Sequence, residues 1–468
     1  MGVAVSGWRL ARTVAAEGQL GVVSGVALDV VMVRRLQDGD PGGHVRRALA
    51  RFPVPGVAEQ IVDRWYRPEG RPPGTPYRTV PKLTAAPDPA HQDLVVAAAF
   101  VEVFLAKEGH EGTVGLNLLE KIRLATPATL YGALLAGVDV VLVGAGIPDR
   151  IPGLLDRLTR HETVALPLDV EGAEAGEETN VELEPRRVLA GTVLPDLRRP
   201  VFLAIVSSVV LATYLARDPS RRPDGFVVEG ASAGGHNAPP RGRQQLDDSG
   251  QPIYGPRDVV DPGAMAALGL PFWLAGSYGR EGRLEDARAA GAAGIQVGTA
   301  FAYSRESGLD DALRLRVLDE VREGASVRTD PLASPTGYPF KVVDVEGTAG
   351  VPDVAAARRR VCDLGYLRVA YRKADGSVGY RCPAEPVDAY VRKGGRVEDT
   401  VGRLCLCNGL LAAVGLGQVR AGGRAEPPLV TAGEDLARIA RDVPDAPPSA
   451  ADVLRGLTVP TARSHRPR

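Results

Sequence analysis

The chain has 468 residues, with 56 Lys and Arg against 57 Asp and Glu for a formal charge of −1. Near-neutrality excludes a non-specific polyanion binder, so nucleic acid is not an expected partner. An apolar fraction of 44% with 24% charged residues describes a globular chain, long enough for one large domain with additions or for two, and 55 Gly with 38 Pro favour many irregular loops over a helical bundle.

Met1 opens onto a loop and then a helical pattern around Trp8, in which Leu10 and Val14 share a face. From Gly7 to Gly347 short β-branched runs alternate with small-residue loops and stretches of helical spacing, the pattern of βα units with parallel strands. Strands are expected at Gln19–Val23, Thr113–Leu118, Asp139–Val143, Val201–Val206, Phe226–Glu229, Phe272–Ala275 and Gly294–Val297. Leu130 with Leu134, Leu211 with Leu215, and Leu309, Leu313, Val317 and Val321 give the intervening helices one apolar face each. Seven strands approach a closed eight-stranded structure, so the expected fold is α/β, a (β/α)8 TIM barrel over residues 1–347. Part of strand one is then expected upstream of Met1.

Residues 38–90 hold ten prolines between Asp38 and Pro89 and one helical stretch, Val57–Trp65, and read as an insertion wrapped over the barrel, as a lid or an oligomer contact. Thr163–Asp169 and Asn180–Glu184 leave no room for a helix between them and read as a peripheral hairpin within 163–187. A small appended module, 348–422, carries a turn at Asp375-Gly376 and all four cysteines, and 423–468 is a Pro-, Ala- and Arg-rich tail with a frayed end. No apolar run approaches the roughly 20 residues that cross a bilayer. The opening residues lack a basic stretch followed by an apolar one, so a cytoplasmic protein without a membrane partner is expected; a homo-oligomer is compatible.

The most informative stretch is Glu229-Gly230-Ala231-Ser232-Ala233-Gly234-Gly235-His236, directly after a strand. Its glycines let backbone N–H groups approach a flat or anionic ligand, and one imidazole stands at the rim, where barrels place their chemistry. An ordinary pKa near 6.5 suits His236 to proton transfer at neutral pH. The competing reading is a surface histidine on a Gly-rich loop. A second constellation, Ala275-Gly276-Ser277 after one strand and Gln296-Val297-Gly298-Thr299 after the next, offers bare amides and hydroxyls for a phosphate. Alternatively these glycines only end strands.

Taken with Met1-Gly2-Val3, Ser6-Gly7, Gly21-Val22-Val23-Ser24-Gly25, Gly115-Leu116-Asn117 and Ser304-Arg305-Glu306-Ser307, these motifs make residues from about Met1 to Lys341 resemble the nitronate monooxygenase (2-nitropropane dioxygenase-like) family. The family's members are FMN-binding (β/α)8 barrels, related in layout to flavin-dependent enoyl-ACP reductases. The resemblance implies an FMN whose phosphate rests on Gly276, Ser277, Gly298 and Thr299, flanked by Ala275 and Gln296. The ring would lie near Met1, Gly2, Val3, Asn117, Glu229, Gly234 and Gly235. It also implies His236 as catalytic base towards a nitroalkane or alkyl nitronate, with dioxygen as co-substrate and the redox chemistry left to the cofactor.

Two departures bear on the transfer. Many relatives carry a Lys where this chain reads Ile205-Val206-Ser207-Ser208, so a cationic flavin contact is either missing or supplied from elsewhere. The loop from Asn237 to Arg257 is longer than a minimal βα connection and would cover the ring and set substrate choice. Rival expectations are an NAD(P)H-dependent enoyl-thioester reductase on the same barrel and flavin, and a non-catalytic flavin-binding subunit whose cysteine module docks a partner. Cys362, Cys382, Cys405 and Cys407 match no tight zinc-ribbon spacing. They could ligate zinc or an iron–sulfur cluster, or pack as reduced, small apolar groups. His44, His91, His110, His161 and His465, together with Glu102, Glu108, Glu111 and Arg358-Arg359-Arg360, read as solvated side chains.

Overall fold

The computed structural model describes residues 2–174, 176–420, 422–443 and 446–458. Met1, His465 and the expected frayed end lie outside them.

Seven strands form one sheet in chain order: β1 (Gly21–Ser24), β2 (Val114–Leu119), β3 (Val140–Gly144), β4 (Val201–Val206), β5 (Gly225–Glu229), β6 (Phe272–Ala275) and β7 (Gly294–Gln296). Every neighbouring pair is parallel. All seven expected strands are present, displaced at most two residues at either end. The runs are short, β-branched and buried on both faces, as a parallel sheet covered by helices requires. An apolar cluster joins Leu20, Val22, Val140, Leu142, Leu203, Ile205, Val227, Trp273 and Ala275, spanning β1 to β6, so the sheet curls around its own inner side chains. Among the described residues no eighth strand joins β7 to β1; the architecture is an α/β fold on a curled seven-stranded sheet.

The outer layer is helical. The longest helix, Pro89–Lys107, starts where Asp88 accepts the Ala90 N–H at 2.8 Å, with proline at the first position, whose missing donor is no loss there. With a mean hydropathy of 1.3 it is long and apolar enough to cross a bilayer, contrary to the sequence expectation, yet 78% of that stretch is buried within the protein. Glu102 on it is also buried rather than solvated. Its carboxylate accepts the Trp8 N–H at 2.7 Å and pairs with Arg35 at 2.7 Å, partners far away in sequence.

The Pro-rich segment holds two helices, His44–Leu49 and Pro55–Trp65, and then runs extended against the C-terminal part of the chain. Tyr77 exchanges two backbone hydrogen bonds with the Gln418 amide (2.7 and 3.1 Å), and the Ala85 N–H donates to the Tyr380 hydroxyl at 2.7 Å. Val164–Pro167 and Asn180–Leu183 pair antiparallel, and Val170–Glu171 between them adds a parallel edge to the Val369–Arg372/Val378–Arg381 hairpin. Two further histidines expected in solvent are buried by long-range bonds: His91 Nε2 meets Asp29 at 3.1 Å, and His161 Nδ1 meets the Tyr131 hydroxyl at 2.8 Å. Arg358 and Arg360 are not a solvated face either. The first pairs with Glu426, and the second donates to the carbonyls of Pro383 and Thr400 at 3.2 and 2.8 Å.

Candidate functional site

A cavity of about 1080 Å³ opens at the carboxyl ends of the strands. The sheet register sets its floor. Glu229 of β5 stands beside Ala275 of β6, which stands beside Gln296 of β7. On the other side Asn117 of β2 lies between Ser24 of β1 and Leu142 of β3. Among the described residues all the sequence candidates for the flavin and for catalysis line this one cavity: Gly2, Val3 and Asn117; Glu229, Gly234, Gly235 and His236; Ala275, Gly276 and Ser277; Gln296, Gly298 and Thr299.

At the ends of β6 and β7 the backbone is left bare. Ser277 adopts a left-handed φ of +57°, strain for a residue with a Cβ, of the kind that gathers at functional sites. A Cβ on Gly298 would meet no protein atom within 4 Å, so its peptide faces open cavity. The Thr299 hydroxyl accepts the Gly433 N–H at 2.9 Å and keeps its own proton free to donate. Gly234 is bare for another reason: a Cβ there would sit 2.7 Å from the Ala432 carbonyl carbon and 2.8 Å from Gly433 N.

His236 is held on several sides. Its backbone bridges to Phe340, whose ring meets the imidazole edge-on at 4.9 Å between centroids. The Gly235 N–H donates to Thr431 Oγ1 at 2.8 Å, and the Lys341 N–H donates to the Gly235 carbonyl at 2.9 Å. Nε2 lies 2.7 Å from Ser334 Oγ, which is 2.8 Å from Thr336 Oγ1 and accepts the Thr336 N–H at 3.2 Å. If Nε2–H donates to Ser334, and Ser334 donates to Thr336 Oγ1, every group in the chain is satisfied and Nδ1 keeps a lone pair.

Burial pushes His236 down to about 4, so the ring is neutral at pH 7. Burial pushes Glu229 the other way, to about 7, and its carboxyl has no hydrogen-bond partner among the described residues. Both are half-buried, and what exposure they have is to the cavity, so a ligand there would dry them further.

The strand end that lacks a Lys has a cation from elsewhere: Arg241, on the long loop, donates to the Ser207 carbonyl at 3.0 Å and lines the cavity. The sequence reading also missed Thr431, Ala432, Gly433 and Asp435, which close the cavity from the tail. Glu434 beside them anchors that segment, pairing with the buried Lys341 at 2.9 Å and donating its N–H to the Ser232 carbonyl at 3.0 Å. The only signal for them was Thr431-Ala432-Gly433, small residues set among prolines. Tyr366, Leu367, Leu406, Cys407 and Leu410 of the cysteine region form a further, largely apolar wall. The four cysteines are free thiols, and among the described residues no three His, Cys, Asp or Glu side chains stand where they would hold a metal ion.

Residues 199–331 match the family model described as nitronate monooxygenase. Among solved structures, a FabK variant from Thermotoga maritima is 14% identical, aligned over 98% of this chain and 89% of that one with a TM-score of 0.44. The nitroalkane oxidase from Streptomyces ansochromogenes is 16% identical over 97% of this chain and 92% of that one, with a TM-score of 0.43. The enoyl reductase domain of MlnA from Bacillus amyloliquefaciens is 13% identical over 56% and 57%, with a TM-score of 0.34. These likenesses are too distant to bear on the chemistry. No curated protein matches the chain significantly. Over the segment that carries β4 to β7, His236 and the bare peptides after β6 and β7, the chain is nitronate-monooxygenase-like.

Proposed function

We propose that the chain is an FMN-dependent oxidoreductase acting on alkyl nitronates or nitroalkanes with dioxygen, and that its curled sheet is seven strands of a (β/α)8 barrel. The observation that carries this reading is the bare-peptide cradle after β6 and β7 in the same cavity as a neutral, oriented imidazole. The residues present fit the group: the Gly298 side is open space, and Gly276, Ser277, Gly298 and Thr299 line the cavity, where their N–H and hydroxyl donors would hold a dianionic phosphate without a bulky side chain between. Asn117, Glu229, Gly234 and Gly235 would border the ring, and Arg241 would supply a cation at the end of β4, where the chain reads Ile205-Val206-Ser207-Ser208. Bound FMN would accept electrons from the substrate and pass them to dioxygen.

The chain's own part is proton handling and exclusion of water. His236 needs no prior deprotonation at pH 7, and Nδ1 is the atom free to take a substrate proton while Ser334 and Phe340 hold the ring still. Glu229, titrating near neutrality, is the second group able to exchange a proton across the cavity. The apolar wall from Tyr366 to Leu410 suits an alkyl substituent.

The test is oxygen consumption by FMN-loaded protein with an alkyl nitronate, run beside NAD(P)H oxidation with an enoyl thioester. Turnover in the first that is lost in His236→Gln supports the proposal. Turnover only in the second would replace the substrate and keep the cofactor, and failure to bind FMN would overturn both.

A further inference from the structure

The strands Val327–Asp330 and Phe340–Val343 pair antiparallel, and the loop between them brings the fully buried Ser334 to 2.7 Å from His236 Nε2. The N–H groups of that loop are met from within the hairpin: Asp330 Oδ1 accepts those of Leu332 and Ala333 at 2.8 and 2.9 Å. Its carbonyls are met from the appended cysteine region. Arg403 Nη1 donates to the Leu332 carbonyl at 2.8 Å and to the Ser334 carbonyl at 2.6 Å, and the Leu404 N–H donates to the Ala333 carbonyl between them at 2.9 Å. The Ser334 carbonyl also accepts the Gly337 N–H, at 3.2 Å.

Gly402 permits this approach. Its φ is +71°, and a Cβ there would stand 2.9 Å from Leu332 Cβ. Among the described residues the Arg403 guanidinium bonds only to carbonyls, the third being that of Asp399 at 3.1 Å from Nε. Hydrogen bonds from a charged donor are roughly twice as strong as neutral ones, so three successive carbonyls are braced chiefly by this one side chain. The Ser334 hydroxyl has its own partners in Thr336 Oγ1 and the Thr336 N–H, and it moves with its backbone. If the brace is lost, the loop can draw Ser334 away from Nε2. The ring is then free to turn over or to take the tautomer with Nδ1 protonated, which cannot accept a proton there.

We propose that Arg403 is a positioning residue for the reaction: by holding the Leu332 and Ser334 carbonyls it keeps the Ser334 hydroxyl on Nε2 of His236 and so leaves Nδ1 as the proton acceptor. This rests on the reading of His236 as the base. The same stretch runs on into Leu406, Cys407 and Leu410 of the apolar wall. The appended region thereby serves the site twice, as a wall for the substrate and as a brace for the imidazole.

The experiment compares the full chain with Arg403→Met, Arg403→Lys and, as a control in the same region, Arg396→Met, whose ion pair with Asp399 lies at the surface. Nitrogen NMR of the histidine rings in the flavin-free chain reads the tautomer of His236, with Ser334→Ala assigning the signal. The parent should carry its proton on Nε2, and Arg403→Met should show a mixture of tautomers. In FMN-loaded protein with an alkyl nitronate, kcat should fall roughly ten- to a hundredfold in Arg403→Met while KM changes less than twofold. Arg403→Lys, a point charge that can hold one of the two carbonyls, should recover part of the loss, and so should added guanidinium with Arg403→Met. Arg396→Met should match the parent in both readouts. A His236 ring signal unchanged in a folded Arg403→Met or Arg403→Lys chain overturns the proposal, as does a loss of kcat that Arg396→Met reproduces. A parent chain without nitronate turnover tells against the proposed substrate instead, and the ring signal still decides the role of Arg403.

Discussion

Substituting Gly298 with alanine isolates the ligand from the fold. The residue has φ −116°, a value alanine adopts freely, and the added Cβ meets no protein atom within 4 Å. Folding stability should stay within about 0.5 kcal/mol of the parent, as for a substitution that touches nothing. If the space is where a phosphate approaches the peptide, the methyl group pushes it off at least one charge-assisted hydrogen bond. Such a bond contributes about 1.5–3 kcal/mol, so FMN affinity should fall roughly 10- to 150-fold. Fluorescence titration of the flavin-free protein with FMN, beside thermal denaturation without ligand, reads both quantities. Unchanged affinity would refute the placement of the phosphate, and an equal loss of stability would refute the claim that the space is free of protein.

Gly234→Ala should behave in the opposite way. Its Cβ is forced to 2.7 Å from the Ala432 backbone, so overpacking of about 1–3 kcal/mol should appear in denaturant unfolding of the ligand-free chain. Ser334→Ala removes the partner that orients the imidazole; kcat should fall about tenfold or more with KM little changed, and Ser334→Thr should recover part of the loss. The pH dependence of ligand-free stability has opposed contributions. The folded pKa of His236 is depressed from 6.5 to about 4, so its contribution is complete above pH 6.5 and lost as pH falls towards 4. Glu229 is raised from 4.5 to about 7, so its contribution is complete below pH 4.5 and lost as pH rises through 7. Each is worth up to about 3 kcal/mol, and between pH 4.5 and 6.5 they offset each other. His236→Gln should therefore make the chain more stable on acidification through that window, and Glu229→Gln less stable, both read by urea midpoints.

The sheet was legible because each strand is a short β-branched run closed by small residues, a local signal. The glycine loop before His236 and the peptides after β6 and β7 were legible for the same reason, and the register then brings them together. What escaped was long-range. A single Glu in the apolar run AAAFVEVFLAK looks like a solvated edge until Arg35 is found beside it. Residues 431–435 reach the site only through contacts distant in sequence: Gly234 lets the Ala432–Gly433 backbone approach, Thr431 accepts the Gly235 N–H, and Glu434 pairs with Lys341. Arg241 could be noticed on its loop, but not that it reaches the Ser207 carbonyl at the end of β4. The eighth strand was expected to lie partly upstream of Met1, because Met1 already opens onto a loop, and the described residues show seven strands in the sheet.

Equilibrium dialysis of the purified chain against FMN and against riboflavin tests most directly whether this cavity holds a flavin by its phosphate. FMN should bind stoichiometrically and at least a hundredfold more tightly than riboflavin, which lacks the phosphate. Equal affinity for the two, or uptake of neither, would contradict it.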